Sequence, residues 1–280
     1  MGIDCAARAG RIQLATWAAG GRLSFRDALR LNLYGEAAST LTPNRLGGEP
    51  ARFLGMTWSG LRVVMALVAL GVEVAAEWPV FGIMALALAA YYVPDWSQAA
   101  DRFLSHSLAR DLLGVELIAL VVLIVIWTLQ RLVRPGAIRH RVRRQWRVAL
   151  AHVRRARWWV LFAGALLTAV SLAARALILP ALAWGHPDAP PFSVMFFGSL
   201  ALIHAPLVVP LPSGGGGIEV AFLSGFAGDF GAGQLTMLLL WRFYTTILLT
   251  ILGMYLLVRT HGAKAAKELF TVGWFRRPRR

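Results

Sequence analysis

Two long apolar segments, each containing a single ionisable residue, constrain this chain more than any other feature. Leu112 to Leu129 contains only Glu116, and Trp158 to Trp184 contains only Arg175. As a helix, each segment is long enough to cross a hydrocarbon core of about 30 Å. Hydrophobic residues make up 58% of the 280, which exceeds the roughly one half found in soluble domains. The sequence therefore predicts an all-α, polytopic helical membrane protein.

The positive charge of the chain is placed beside the apolar segments. The formal net charge is +15, with ten arginines between Arg131 and Arg157 and five more from Arg259 onward. Short basic loops stay in the cytoplasm, so residues 131–157 and the C-terminus should be cytoplasmic and Gly185 to Pro191 external. This distribution favours a multi-pass protein of the cell inner membrane, and it does not suggest nucleic-acid binding.

The rest of the chain divides into segments of different character. Residues 1–13 contain no apolar core typical of a cleavable signal peptide. Ser24 should cap a helix reaching Ser39, and Trp78-Pro79 should give either one kinked span or two shorter helices. Leu235 to Val258 reads as the last span. We expect one membrane domain over residues 1–280, divided into a first broken-helix half at 22–93, a connection at 94–157, a second half at 158–259 and a basic tail at 260–280.

Two segments rich in proline and glycine are similar to each other. Aligning Pro43 with Pro212 also aligns Gly47-Gly48 with Gly216-Gly217 and Phe53-Leu54 with Phe222-Leu223. Proline and glycine interrupt helices, and paired interruptions in two halves of a membrane protein indicate a central transport site. We therefore expect two broken or re-entrant helices, possible members of an inverted repeat, that approach each other.

These segments carry a resemblance to a known family. Leu41 to Arg52, Pro212 to Glu219, and Trp241-Arg242-Phe243 resemble, in order and spacing, the lysylphosphatidylglycerol synthase/flippase transmembrane family. The resemblance implies a flippase-like integral membrane domain that handles phospholipids. Family members usually have further helices before the first segment, so a shortened N-terminal half is expected.

Charged residues at membrane depth are functional candidates. Glu219 follows four glycines at the start of an apolar stretch, where a helix dipole would favour its anionic form. Arg242 and Arg175 lie within spans, and guanidinium groups bind phosphate through two hydrogen bonds. Each arginine could equally form a structural pair with a carboxylate. The glycines would let a headgroup approach the backbone closely.

The first interrupted segment offers a second group of charges. Arg45, Glu49 and Arg52 could line the mouth of a lipid site or form ordinary interfacial ion pairs. Glu73 and Glu77, spaced four apart, suggest either proton coupling or two carboxylates at the outer interface. The sequence thus predicts no catalytic and no metal-binding residue, and these substrate-binding residues: Glu219, Arg242, Arg45, Glu49, Arg175, Gly216 and Gly217.

Three functions remain open on these grounds. The first is translocation of a phospholipid or related lipid with an anionic or zwitterionic headgroup, without covalent chemistry or a cofactor. The second is a membrane-embedded transferase in which Glu219 or Glu49 acts as a base. The third is a non-catalytic anchor for a separate lipid-biosynthesis enzyme. The glycine segment lacks the Lys-Ser/Thr of a nucleotide-binding loop, which argues against nucleotide chemistry.

Overall fold

The computed structural model describes residues 1–42, 45–103, 158–207 and 212–270, with side chains described to residue 92 in the second range and to residue 262 in the last. These residues form ten α-helices and no β-strand, which confirms the all-α prediction. The helices are α1 Gly2–Ala18, α2 Phe25–Leu41, α3 Gly48–Trp58, α4 Val63–Phe103, α5 Trp158–Ala176, α6 Ile178–Leu182, α7 Phe192–His204, α8 Gly217–Gly225, α9 Gln234–Arg242 and α10 Leu248–Phe270.

Three stretches of the described chain are long and apolar enough to cross a membrane. They are Val63–Tyr92, Trp158–Leu182 and Gly231–Gly262, and only about a third of each is buried inside the protein. The remaining apolar surface is available to lipid. The spans predicted at 158–184 and 235–258 are thereby confirmed, whereas the span predicted at 112–129 and the arginine-rich segment lie outside the described residues.

The interruption expected at Trp78-Pro79 does not occur. Helix α4 is continuous through both Pro79 and Pro94, so the alternative of two shorter helices is wrong. Each proline removes one backbone N–H donor. Such losses are tolerated in membrane helices, where local adjustments satisfy the freed carbonyls.

Helix α2 is the central packing element of the first half. Its start is the one predicted, because the Ser24 hydroxyl accepts a hydrogen bond from the backbone N–H of Asp27 at 3.1 Å. The helix packs against α1, α3 and α10. The backbones of α2 and α10 are in close contact, because a Cβ built on Gly253 would lie 2.2 Å from the Leu33 carbonyl oxygen. Helix α1 in turn packs along α5.

The second half has its own aromatic core. Helices α6 to α9 enclose the buried side chains of Phe222, Phe226, Phe230 and Trp241. The Trp241 indole N–H donates to the Ser199 hydroxyl at 2.9 Å. A π-helical turn, Phe243–Ile247, joins α9 to α10 within the last span. This core holds the residues on either side of the second glycine segment, Pro212 to Glu219.

Two compact units can be distinguished along the chain. One contains residues 1–82 and 151–280, and the other residues 83–150. In the second unit the described residues are those of α4 beyond residue 82. All side-chain contacts discussed below belong to the first unit. The single-domain organisation inferred from the sequence stays a prediction.

Candidate functional site

A cluster of oppositely charged side chains lies between helices α1 to α5. Most of its members are buried, although Glu49 keeps 52% of its side chain exposed. We call it the arginine–carboxylate cluster, and its members are Asp4, Arg8, Arg11, Glu36, Arg45, Glu49, Arg52, Glu73, Glu77 and Arg175. Ionised, the five carboxylates balance the five guanidinium groups, which makes burial of so many charges possible.

Glu36 is the centre of one part of this cluster. Its Oε2 accepts from Arg45 Nη2 at 3.0 Å and lies 3.3 Å from Arg175 Nη2, and its Oε1 pairs with Arg8. Burial alone would raise the pKa of the Glu36 carboxyl. The guanidinium groups of Arg175, Arg8, Arg45 and Arg52 outweigh burial and hold that pKa well below its usual range. Glu36 is therefore a fixed anion that positions three arginines, from α1, α5 and the loop before α3.

Asp4 ties the first helix to the same group. Its Oδ1 accepts from Arg8 Nε at 2.8 Å and from the Ser171 hydroxyl at 2.6 Å, and its Oδ2 accepts from Arg175 Nε at 3.2 Å. Since Asp4 and Arg175 are far apart in sequence, these bonds fasten α1 to α5. Arg175 is thus held between two carboxylates, Asp4 and Glu36.

Glu73 lies at the opposite end of the cluster. Its Oε2 is 3.4 Å from Arg52 Nη1 and 3.7 Å from Arg11 Nη2. Arg52 is closer to Glu49, at 3.0 Å, and Arg11 forms its closest pair with Glu77. Glu73 is 2% exposed, so it is buried within the protein, and its position relative to the membrane interface stays a prediction.

A cavity of about 250 Å³ opens within the cluster, and we call it the arginine-lined cavity. Five guanidinium groups but only three carboxylates line it, since Asp4 and Glu73 are not among its lining residues. Its charged lining residues are Arg8, Arg11, Arg45, Arg52, Arg175, Glu36, Glu49 and Glu77. The excess of cationic groups favours an anionic occupant.

The second glycine segment forms a separate ion pair. Helix α8 begins at Gly217 with Gly216 as its N-cap, which places Glu219 in the first turn as predicted. Arg242 Nε donates to Glu219 Oε1 at 2.8 Å, and Arg242 Nη1 donates to the Ser213 carbonyl oxygen at 3.1 Å. Arg242 therefore fastens both ends of this segment to the last span.

The two glycine segments approach each other, as the sequence predicts. Arg45 from the first segment and Ser213 from the second line one small cavity of about 20 Å³, together with Arg175 and Arg242. Arg45 and Arg175 also line the arginine-lined cavity. The two cavities thus share two cationic side chains. Pro43 and Asn44 lie outside the described residues.

The two segments also match in local geometry. Arg45 and its aligned residue Gly214 both have a left-handed backbone, with φ of 59° and 63°. The aligned glycines Gly47 and Gly216 are both N-caps, and the helices begin at the next residue. These matches extend the sequence similarity to the backbone. The inverted relation between the two halves stays a prediction.

Comparison with known protein families agrees with this arrangement. The sequence model of the family described as the lysylphosphatidylglycerol synthase TM region matches residues 1–253. The chain belongs to this family. The predicted resemblance is thereby confirmed over most of the chain, including both glycine segments and the last span as far as residue 253. The match and the three apolar helices make it an integral membrane protein of a lipid-related family. Searches of the curated proteins and of the solved structures returned no match.

The predicted site residues of this family member fall into two groups. Arg45, Glu49 and Arg175 line the arginine-lined cavity, whereas Arg242 lines the small cavity and Glu219 lines neither. Gly216 and Gly217 start α8. The site also includes four residues that the sequence did not suggest: Asp4, Arg8, Arg11 and Glu36. Their spacing was the available signal, since Asp4, Arg8 and Arg11 share one face of a helix.

Proposed function

We propose that this protein moves a phospholipid between the leaflets of the cell inner membrane, with the headgroup phosphate bound in the arginine-lined cavity. The observation that carries this proposal is the cationic excess of the lining, in which five guanidinium groups face three carboxylates. Guanidinium groups bind phosphate oxygens through paired, charge-assisted hydrogen bonds. The proposed reaction breaks no covalent bond.

Unused hydrogen-bond donors support an anionic occupant. Within the described residues, Arg11 Nε and Arg52 Nε are buried without a hydrogen-bond partner, whereas Arg175 Nη2 is already paired with Asp4 and Glu36 at 3.2 and 3.3 Å. Buried donors normally have partners, because an unpaired one costs free energy. A phosphodiester in the cavity would supply oxygens to these N–H groups. The two unpaired donors come from α1 and α3, so a single anion could engage both helices.

The size of the cavity fits a headgroup and excludes the acyl chains. A volume of about 250 Å³ is below the roughly 300–1,000 Å³ of pockets that hold a whole drug-sized ligand. The chains would therefore remain in the bilayer beside the apolar outer surface of the spans. This division of a lipid between a polar cavity and the surrounding hydrocarbon is what translocation requires.

Leaflet transfer in proteoliposomes tests the proposal. Fluorescent phosphatidylglycerol and phosphatidylcholine analogues would be compared by external quenching with dithionite, and we expect faster transfer of the anionic lipid. Arg175→Gln should lower its rate about tenfold or more, because the change removes a charge-assisted bond. The matched control is Arg259→Gln, whose exposed side chain contacts Tyr255 outside the cavity.

Two results would contradict the proposal. A transfer rate equal to that of empty liposomes would exclude translocation, and equal transfer by well-folded Arg175→Gln and wild type would exclude headgroup binding in the arginine-lined cavity. Chemical analysis of the recovered lipid adds a separate arm. A covalently modified headgroup would support a transferase instead.

A further inference from the structure

Glu73 is the least well compensated carboxylate of the arginine–carboxylate cluster. Its side chain is 2% exposed, and Oε1 has no hydrogen-bond partner within the described residues. Oε2 has Arg52 and Arg11 as neighbours, at 3.4 and 3.7 Å. A buried carboxylate with one oxygen unpaired depends on those two cations to remain ionised.

Both cations also belong to the wall of the arginine-lined cavity. Arg52 and Arg11 line that cavity, and Glu73 contacts both without lining it. Each has a nearer partner than Glu73, namely Glu49 for Arg52 and Glu77 for Arg11. The charged groups around Glu73 are therefore Arg11 of α1, Arg52 and Glu49 of α3, and Glu77 one turn along α4. Thr168 of α5 contributes a hydroxyl that accepts from Arg11.

An anion in the cavity would compete with Glu73 for these cations. If the anion takes up the donors of Arg11 and Arg52, Glu73 becomes a buried carboxylate without compensation, which is strongly unfavourable. Uptake of one proton removes that charge. We propose that Glu73 binds a proton when the anionic headgroup enters the cavity and loses it when the headgroup leaves, which makes H⁺ the coupling ion of transport. This inference rests on the proposed function.

The charge balance of this step is complete. One headgroup anion and one proton enter together, so the net charge of the cluster is unchanged. Glu77 lines the cavity and lies one helical turn from Glu73, which provides a route for the proton from cavity water. Lipid movement down its gradient would then carry protons in the same direction.

Proton uptake during binding is directly measurable. Calorimetric titration of the detergent-solubilised protein with short-chain phosphatidylglycerol, in buffers of different ionisation enthalpy, gives the number of protons taken up per lipid. Wild type should take up about one proton, and its Kd should fall about tenfold per unit decrease in pH. Glu73→Gln should bind the lipid with uptake near zero and a flat pH profile. The control Asp27→Asn should behave as wild type.

Infrared difference spectra provide a second, spectroscopic readout. A protonated-carboxyl C=O band should appear when lipid is added to wild type and should be missing in Glu73→Gln. Binding without proton uptake, or uptake unchanged in Glu73→Gln, would overturn the coupling and leave translocation intact. Uptake lost only in Glu77→Gln would overturn the assignment to Glu73. Failure of wild type to bind or transfer the lipid would overturn both proposals.

Discussion

Arg242 and Glu219 form an ion pair whose members are unequally buried. The side chain of Arg242 is 9% exposed and that of Glu219 is 37% exposed. Removing the carboxylate strands a buried cation, whereas removing the cation leaves an anion that is partly accessible. The two neutral substitutions should therefore differ in cost.

We predict that Glu219→Gln is the more destabilising of the two. Its loss should be about 3 kcal/mol, the lower end of the cost of breaking a buried pair, and Arg242→Gln should cost less. Thermal unfolding in detergent, followed by intrinsic fluorescence, measures the difference. If both residues also contact the lipid headgroup, each variant should lose transfer activity, and Arg242→Gln should do so while remaining folded. An equal loss of stability would contradict the unequal burial.

Several site residues could be predicted from chemistry alone. Glu219 and Arg242 were each expected to need a partner at membrane depth, and they are each other's partner. Asp4 and Arg8 could not be identified in this way, because their segment is not a candidate span. Their partners Ser171 and Glu36 are 167 and 28 residues away. Only the packing of α1 against α2 and α5 brings these charges together.

At the level of helices, the two glycine segments are fastened by ion pairs of opposite polarity. In the first half the arginine, Arg52, is on the helix that follows the glycines, and the carboxylate, Glu73, is on the next helix. In the second half the charges are exchanged: the carboxylate, Glu219, is on the helix that follows the glycines, and the arginine, Arg242, is on the next helix. The alignment that pairs Pro43 with Pro212 also pairs position 73 with position 242. Each short helix is thus fastened to a long one by a similar device.

The close contact between α2 and α10 gives a prediction about packing. In Gly253→Ala the new Cβ would meet the Leu33 backbone, so the helices must separate, and overpacking of this kind costs about 1–3 kcal/mol. Gly71→Ala is the matched control, since a Cβ there meets nothing within 4 Å in another span. We expect a lower unfolding temperature for the first variant and an equal or higher one for the second. Similar unfolding temperatures would contradict the contact.

The π-helical turn at Phe243–Ile247 adds one residue between α9 and α10. That residue rotates the following helix by about 100° relative to an uninterrupted α-helix. Deleting Thr246 removes that extra residue, so the span should become a continuous α-helix in which Gly253 still faces α2, and the folded yield should stay near that of wild type. Deleting Thr250, in the α-helical part of the span, should instead turn Gly253 away from α2 and lower the folded yield strongly. Equal yields of the two deletions would show that α10 does not depend on this register.

The orientation of the whole molecule in the membrane can be tested by cysteine labelling. The arginine bias predicts that Gly185 to Pro191 faces outside. In the structure this loop packs on the next one, because the N–H of Phe230 donates to the Asp188 carbonyl oxygen at 2.9 Å. Single cysteines at positions 188 and 228, in a Cys5→Ala background, should therefore both react with an impermeant reagent in intact cells. Labelling only after permeabilisation would reverse the orientation.

The all-α class and two of the described spans followed from apolar length alone, since few alternatives satisfy a lipid environment. The continuity of α4 through Pro79 could not be predicted in this way. A proline breaks a helix only when the surrounding contacts do not stabilise the helical conformation. The burial of helix α1 could not be predicted from hydropathy either. Its charged residues are buried because they pair with opposite charges on other helices, and hydropathy does not measure such pairing. The sequence pattern was enough to predict several of the helices. The ion-pair partner of each charged residue could be identified only from the folded structure.

The exchanged polarity of the Arg52–Glu73 and Glu219–Arg242 pairs has a consequence for how such a sequence can diverge. A lone charge reversal within either pair would leave two like charges facing each other with at least one of them buried, and selection would remove it. Reversal of both partners restores the attraction within the pair and can be inherited, although at positions 52 and 73 the neighbours Glu49 and Arg11 must change with them. Across descendants of a common ancestor, positions 52 and 73 should therefore change sign together, as should 219 and 242, and a chain holding one reversal alone should be rare.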